Sequence, residues 1–188
     1  MIRCNLSILL AERNLKITKV SNDTGISRTT LTSLSSNKAQ GIQFDTINTL
    51  CNYLKVSPEL LISHVPIDIE IISTRIEHDD ILFIDIKITK NSRTFRCELT
   101  GNCYIYFLDE KISDLEIDVT LFDEELNDND EDLIKENSLL INTFNSLPVS
   151  FLNDIEEKIR EEIISNLDKE LCSPYSCSFT WDDRLLSK

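Results

Sequence analysis

The chain has 188 residues, of which 33 are acidic and 19 basic, and a formal net charge of −14. Met1 to His64 holds seven Lys or Arg against four Asp or Glu, a balance of +3, and the remainder holds twelve against 29, a balance of −17. That asymmetry divides the chain into two domains, 1–65 and 67–188, and excludes the second from nucleic-acid contact, because a surface of −17 repels phosphate.

Residues 3–14 read as a first helix, with Leu6, Leu9, Leu10 and Arg13 recurring at three or four positions and Leu15 closing the turn. From Thr18 to Ser36 the sequence TKVSNDTGISRTTLTSLSS reads as two short helices joined by a tight turn. Thr18 is suited to cap the first through its hydroxyl, Val20 faces a core, and Gly25 supplies a left-handed backbone that a β-carbon would penalise. Ser27 is placed to cap the second helix, and Leu31 and Leu34 turn inward. Arg28, Thr29, Thr30 and Ser33 remain on the outer face, short or forked hydrogen-bonding side chains of the kind that reach phosphates and base edges. After a polar loop from Asn37 to Gly41, Asp45 is expected to cap a fourth helix with Ile47, Leu50, Cys51 and Leu54 on one face. Pro58 then opens a short fifth helix at the tolerated first position.

The segments VSNDTGISRTTL (Val20 to Leu31), GIQFDTI (Gly41 to Ile47) and LCNYLKVSPELL (Leu50 to Leu61) resemble the Cro/C1-type (XRE) helix-turn-helix of bacterial and phage regulators. The likeness covers residues 1 to about 64. One departure is Ser21, where that family usually has Ala. The resemblance implies a five-helix domain whose reading helix enters the major groove of double-stranded DNA, with Arg28, Thr29, Thr30 and Ser33 toward the bases. Ser27 and Thr18 then offer phosphate contacts at helix starts, and Lys19 and Lys38 add charge at the rim. One reading helix sees only a few base pairs, so a homodimer on a palindromic operator is expected, and with it an autoregulatory repressor.

After Val65-Pro66 the spacing changes from helical to alternating. Ile67, Ile69 and Ile71 share one face; Leu82 to Ile88, Phe95 to Leu99, Tyr104 to Leu108 and Leu115 to Leu121 read as further strands, with Thr100-Gly101-Asn102 as a turn. The expectation is an antiparallel meander of about five strands, and an α+β fold for the whole chain. Two helices are expected to cover its apolar face: Leu133 to Leu147, stopped by Pro148, and one opened by Ser150 with Phe151, Leu152, Ile155, Ile159, Ile163, Leu167 and Leu171 in a stripe. Ser176 to Trp181 could add a short edge strand. No family is recognised for residues 67–188.

The chemistry of a catalyst is missing from the sequence. Gly25, Gly41 and Gly101 are the only glycines and lie far apart, which excludes a phosphate-binding loop. His64 at the domain junction and His78 beside Asp79 and Asp80 read as surface or junction residues, the cysteine pairs lack zinc spacing, and the alternating Asp128, Asp130 and Asp132 have Leu133 where a calcium loop needs glycine. No enzyme activity and no cofactor are expected. No run approaches the ~20 apolar residues of a membrane span. No signal core is seen either, so a cytoplasmic protein with thiol cysteines is expected. The acidity reads equally as a solubility device or as a face for a basic protein partner, carried by Asp128, Asp130, Glu131, Asp132, Glu157 and Glu161. In plan the chain is similar to anti-CRISPR proteins that join such a helix-turn-helix to an unrelated acidic domain, which makes a CRISPR nuclease such as Cas9 the alternative partner. A ligand- or peptide-sensing second domain is a third expectation, with no pocket legible in the sequence.

Overall fold

A computed structural model describes residues 1–109, 111–122, 130–167 and 172–186. The chain divides into two compact units, Met1–Pro66 and Ile67–Lys188.

In the first unit β1 (Ile2–Cys4) pairs antiparallel with β2 (Ile62–His64), so residues 3–14 do not form one helix. The backbone groups up to Cys4 are taken by Ile62–His64, and α1 is confined to Leu6–Glu12. Asn5 makes the switch between the two. Its N–H donates to the Leu61 carbonyl at 2.8 Å and its Nδ2 to Leu60 O and Ser63 Oγ at 3.1 and 2.8 Å. Next come α2 (Ile17–Thr24), α3 (Arg28–Ser35), α4 (Phe44–Leu54) and α5 (Pro58–Leu61). Thr18 does not cap α2: it lies inside the helix, and extended Lys16 is the cap, with no side-chain bond. Asp45 likewise sits in the first turn of α4, behind the extended cap residue Gln43. Leu6, Val20, Leu31, Leu50 and Leu61 are fully buried in one cluster. Each such side chain contributes about 1.5–3 kcal/mol by leaving water, which is how so small a unit holds its helices.

The second unit is a five-stranded sheet in the order β3 (Ile67–Ile76), β4 (Ile81–Lys90), β5 (Arg93–Leu108), β6 (Lys111–Thr120), β7 (Cys172–Trp181). The first four run antiparallel, but β7 lies parallel to β6, so the sheet is mixed and not a pure meander. Leu82, Ile84, Ile86 and Ile88 alternate into the core with Cys97, Leu99 and Cys103 beside them. Burial pushes the Cys97 and Cys103 thiols up to about 11, as expected of cysteines that act as small hydrophobes.

Two helices supply the cover. α6 (Glu131–Asn145) is capped by Asp130, whose carboxylate accepts from Asp132 N at 2.8 Å. α7 (Val149–Asn166) starts after Pro148, not at Ser150, and buries Phe151, Leu152, Ile155, Ile159 and Ile163. It ends before Leu167, and the expected stripe residue Leu171 lies outside the described residues. A further short helix, α8 (Asp183–Leu186), packs on α6 and brings the total to eight α-helices among the described residues.

Thr100-Gly101-Asn102 is not a turn. β5 runs straight through it, pairing with β4 along Arg93–Asn102 and with β6 along Thr100–Leu108, so these three residues belong to both ladders. Glycine makes that possible. A β-carbon at Gly101 would stand 1.9 Å from the Asp118 carbonyl oxygen, a backbone atom with no freedom to retreat. Gly101→Ala is therefore expected to destabilise the second unit by about 2 kcal/mol or more, whereas Gly41→Ala, with open space around it, stays near neutral. Denaturant midpoints of the two variants check this, and equal midpoints would refute the close-approach argument.

Candidate nucleic-acid interface

The turn between α2 and α3 is built from hydroxyls around one left-handed residue. Gly25 has φ of 77° and its N–H closes α2 on the Ser21 carbonyl at 2.9 Å. Ser21 Oγ donates to the Ile26 carbonyl at 2.7 Å, satisfying a turn oxygen that alanine at this position would leave to solvent. Thr24 Oγ1 donates back to Val20 O at 2.7 Å and accepts from Ile26 N at 3.3 Å. Ser27, extended at ψ 146°, caps α3: its Oγ accepts from Thr30 N at 3.1 Å and shares a hydrogen bond with Thr30 Oγ1 at 2.8 Å.

What remains for a ligand differs residue by residue. Arg28 and Thr29 are exposed, and their side chains make no hydrogen bond or ion pair among the described residues. Thr30 is exposed but spends its hydroxyl on the Ser27 cap. Thr29, Thr30, Ser33 and Lys38 line one open depression of about 500 Å³, with Gln40, Gln43 and Thr46 on its far wall. The sequence reading missed those three. Their signal was a run of amide and hydroxyl side chains on both sides of Gly41, leading into the N-terminus of α4.

Thr18 and Lys19 lie on α2, outside that depression. Lys19 Nζ pairs with Asp23 at 2.9 Å, and the same carboxylate oxygen accepts the Tyr53 hydroxyl at 2.7 Å. The Tyr53 hydroxyl first, and Lys19 second, hold the Asp23 carboxyl below its ordinary range. The bond to Asp23 raises both Lys19 and Tyr53.

Of the acidic residues expected to meet a partner, Asp130, Glu131 and Asp132 lie at the start of α6, and Glu157 and Glu161 lie one turn apart on α7. Asp128 lies outside the described residues. Asp130 is committed to the α6 cap, Glu131 and Asp132 pair with Lys135 at 3.6 and 3.2 Å, and Glu157 pairs with Arg160 at 2.8 Å. Glu161 lines a shallow groove between β3 and α7 with Lys158 and Glu162. A more continuous acidic row, overlooked in the sequence because its residues alternate with core residues, is Asp114, Glu116 and Asp118 on the outer face of β6. Among the described residues no group of three or more His, Cys, Asp or Glu could hold a metal ion, and no helix is long and apolar enough to cross a membrane.

With a hydroxyl-stapled turn, a capped second helix and an uncommitted arginine at its start, the first unit has the form of a nucleic-acid reader. Residues 5–66 match the Cro/C1-type HTH DNA-binding domain. The HTH match ends where the first compact unit ends. A search of curated proteins finds no match. Among solved structures, a crystal structure of a candidate DNA-binding protein from Bacteroides fragilis is similar at 27% identity, covering 34% of this chain and 100% of that one, with a TM-score of 0.31.

The Asp23 pair gives a pH test of the HTH unit. A carboxyl lowered in the folded state adds stability that is present above its unfolded pKa of about 3.9 and is lost as pH falls through the folded value. Tyr53→Phe removes the largest cause of that lowering. Its unfolding midpoint is expected to fall less between about pH 5 and pH 2 than that of the parent. Parallel acid profiles would show that the Tyr53–Asp23 bond contributes nothing.

Proposed function

We propose that the protein is a sequence-specific transcription regulator that represses its own promoter, binding a palindromic operator as a homodimer. The observation that carries this reading is the exposed, uncommitted Arg28–Thr29 pair at the capped start of α3, inside a domain matched to DNA-binding HTH domains. Arg28 forks toward guanine, Thr29 and Ser33 follow along the groove, and Lys38 adds charge beside the backbone. Lys19 serves mainly to hold Asp23 and Tyr53, and contributes little to DNA. Residues 67–188 provide the dimer contact, supported by the apolar end of β5, where Phe107 and Leu108 are each 60% exposed.

The test is an operator titration with full-length variants. Arg28→Ala is expected to cost about 1–3 kcal/mol on the true site and to relax base preference at one position. Lys38→Ala is expected to weaken all sequences alike. Unchanged preference in the first, or a base-dependent loss in the second, overturns the assignment. Light scattering in the same buffer is expected to give a dimer that Phe107→Asp converts to monomer; a parent that is already monomeric removes the dimer from the proposal.

A second reading is favoured by the row Asp114, Glu116 and Asp118: the acidic unit binds a basic protein, the nucleic-acid channel of a nuclease such as Cas9 being the case to try. Inhibition of cleavage by the parent, lost in the D114N/E116Q/D118N variant, is the expected result. Equal behaviour of the two leaves the charge as a solubility device.

A further inference from the structure

We infer that the second unit binds a small organic cation with an apolar body, in the cavity where the α6–α7 junction meets the end of β7 and α8. The cavity has a volume of about 220 Å³ and is walled by Phe144, Leu152, Trp181 and Leu185, with Asn145, Asn153 and Glu156 as polar members. Its residues come from four elements, and nothing in the DNA-binding reading uses them.

The aromatic wall is ordered. Phe144 and Trp181 stand with ring centroids 5.1 Å apart and planes at 55°, an arrangement of mutual edge and face contact. Trp181 Nε1 donates to Glu156 Oε1 at 2.6 Å. That bond fixes the carboxylate at the cavity wall while leaving its second oxygen to accept from another donor.

Asn145 lines the polar side of the cavity. Its Nδ2 donates to the Arg184 carbonyl at 3.1 Å, which fixes the orientation of the amide, because the reversed orientation would set two acceptors against each other. Its Oδ1 is buried and has no hydrogen-bond partner among the described residues.

These walls select the ligand. A carboxylate asks for a donor and its negative charge for a cation, and tryptophan is the aromatic ring that attracts cations best. The apolar remainder asks for a hydrocarbon or aromatic body, and the small volume limits the whole to on the order of ten non-hydrogen atoms. An anion of the same size is repelled by Glu156.

Trp181 is the only tryptophan in the chain, so its emission reports this cavity alone. Full-length protein is titrated with 2-phenylethylammonium, with 2-phenylethanol as the neutral probe and phenylacetate as the anionic one. The expected result is a saturable change in Trp181 emission with the ammonium probe at about tenfold lower concentration than with the alcohol, and none with the acid. Glu156→Gln keeps an acceptor for the indole N–H but removes the charge, and is expected to abolish the preference for the ammonium probe without lowering the thermal midpoint. Equal response to ammonium and alcohol, saturation by phenylacetate, or no saturable change with any probe overturns the proposal. Should Glu156→Gln fail to fold, the three-probe comparison on the parent protein still decides it.

Discussion

The hydrogen bond from the Ser21 hydroxyl to the Ile26 carbonyl fixes how the chain leaves α2 and enters α3. Gly25 alone permits a left-handed bend, but permission does not define a direction. The direction comes from bonds across the turn: Ser21 to Ile26, Thr24 to both Val20 and Ile26, and Ser27 to Thr30. Three hydroxyls within seven residues thus hold α3 at one angle to α2, and Leu31 and Leu34 then have only one core to enter. A reading helix must present its outer face without flexing, since a small tilt at its start becomes a larger error where a side chain meets a base edge. The same economy explains why Arg28 and Thr29 are left over: the hydroxyls nearby are engaged, and these two side chains are not.

The second unit depends on close approach in another form. Its sheet has one apolar face, and both ladders of β5 meet at Thr100–Asn102. Only a residue without a β-carbon lets the Asp118 carbonyl come so near, so the register of three strands is pinned at one glycine. Outward from that point the polar face is organised by charge. Arg75 lies 4.3 Å above the Phe83 ring and pairs with Glu98 at 2.6 Å and Asp85 at 3.4 Å, and Lys87 pairs with Glu70. These contacts are partly exposed and each is weak, but they leave the row on β6 as a stretch of carboxylates with no salt bridge among the described residues.

Periodicity was legible in the sequence along the segments that form the two cores, though not at Phe95, Phe107 or Leu108, which are apolar and exposed. Leu31 and Leu34, Leu82 to Ile88, and Phe151 to Ile163 all point where their spacing says they should. The Ser27 cap was legible because its own side chain makes the bond, while the starts at Lys16 and Gln43, made by backbone geometry alone, were not, and Asp130, which caps α6, was read only as part of an acidic face. β1 escaped because three residues carry no period, and its existence depends on a partner nearly sixty positions away. Gly101 was misread because glycine between Thr and Asn has the local chemistry of a turn. The sequence holds no mark of the Asp118 carbonyl that makes glycine necessary there. At the candidate nucleic-acid interface, α3 was readable from its pattern. The far wall at Gln40, Gln43 and Thr46 became visible only once α4 was placed against α3.

The parallel strand β7 carries a consequence for how the molecule is made. Its partner β6 leaves the ribosome long before it, with both covering helices synthesised in between. At a few to about twenty residues per second, the outer edge of β6 stands open for several seconds in every nascent chain. An open edge with Leu115, Ile117 and Val119 along one side is a template for pairing with the wrong chain. Asp114, Glu116 and Asp118, set between those apolar residues, put three negative charges on that edge while it waits. Two nascent copies that meet there repel one another, and the charge that later colours the finished surface first acts as a guard on an unfinished one.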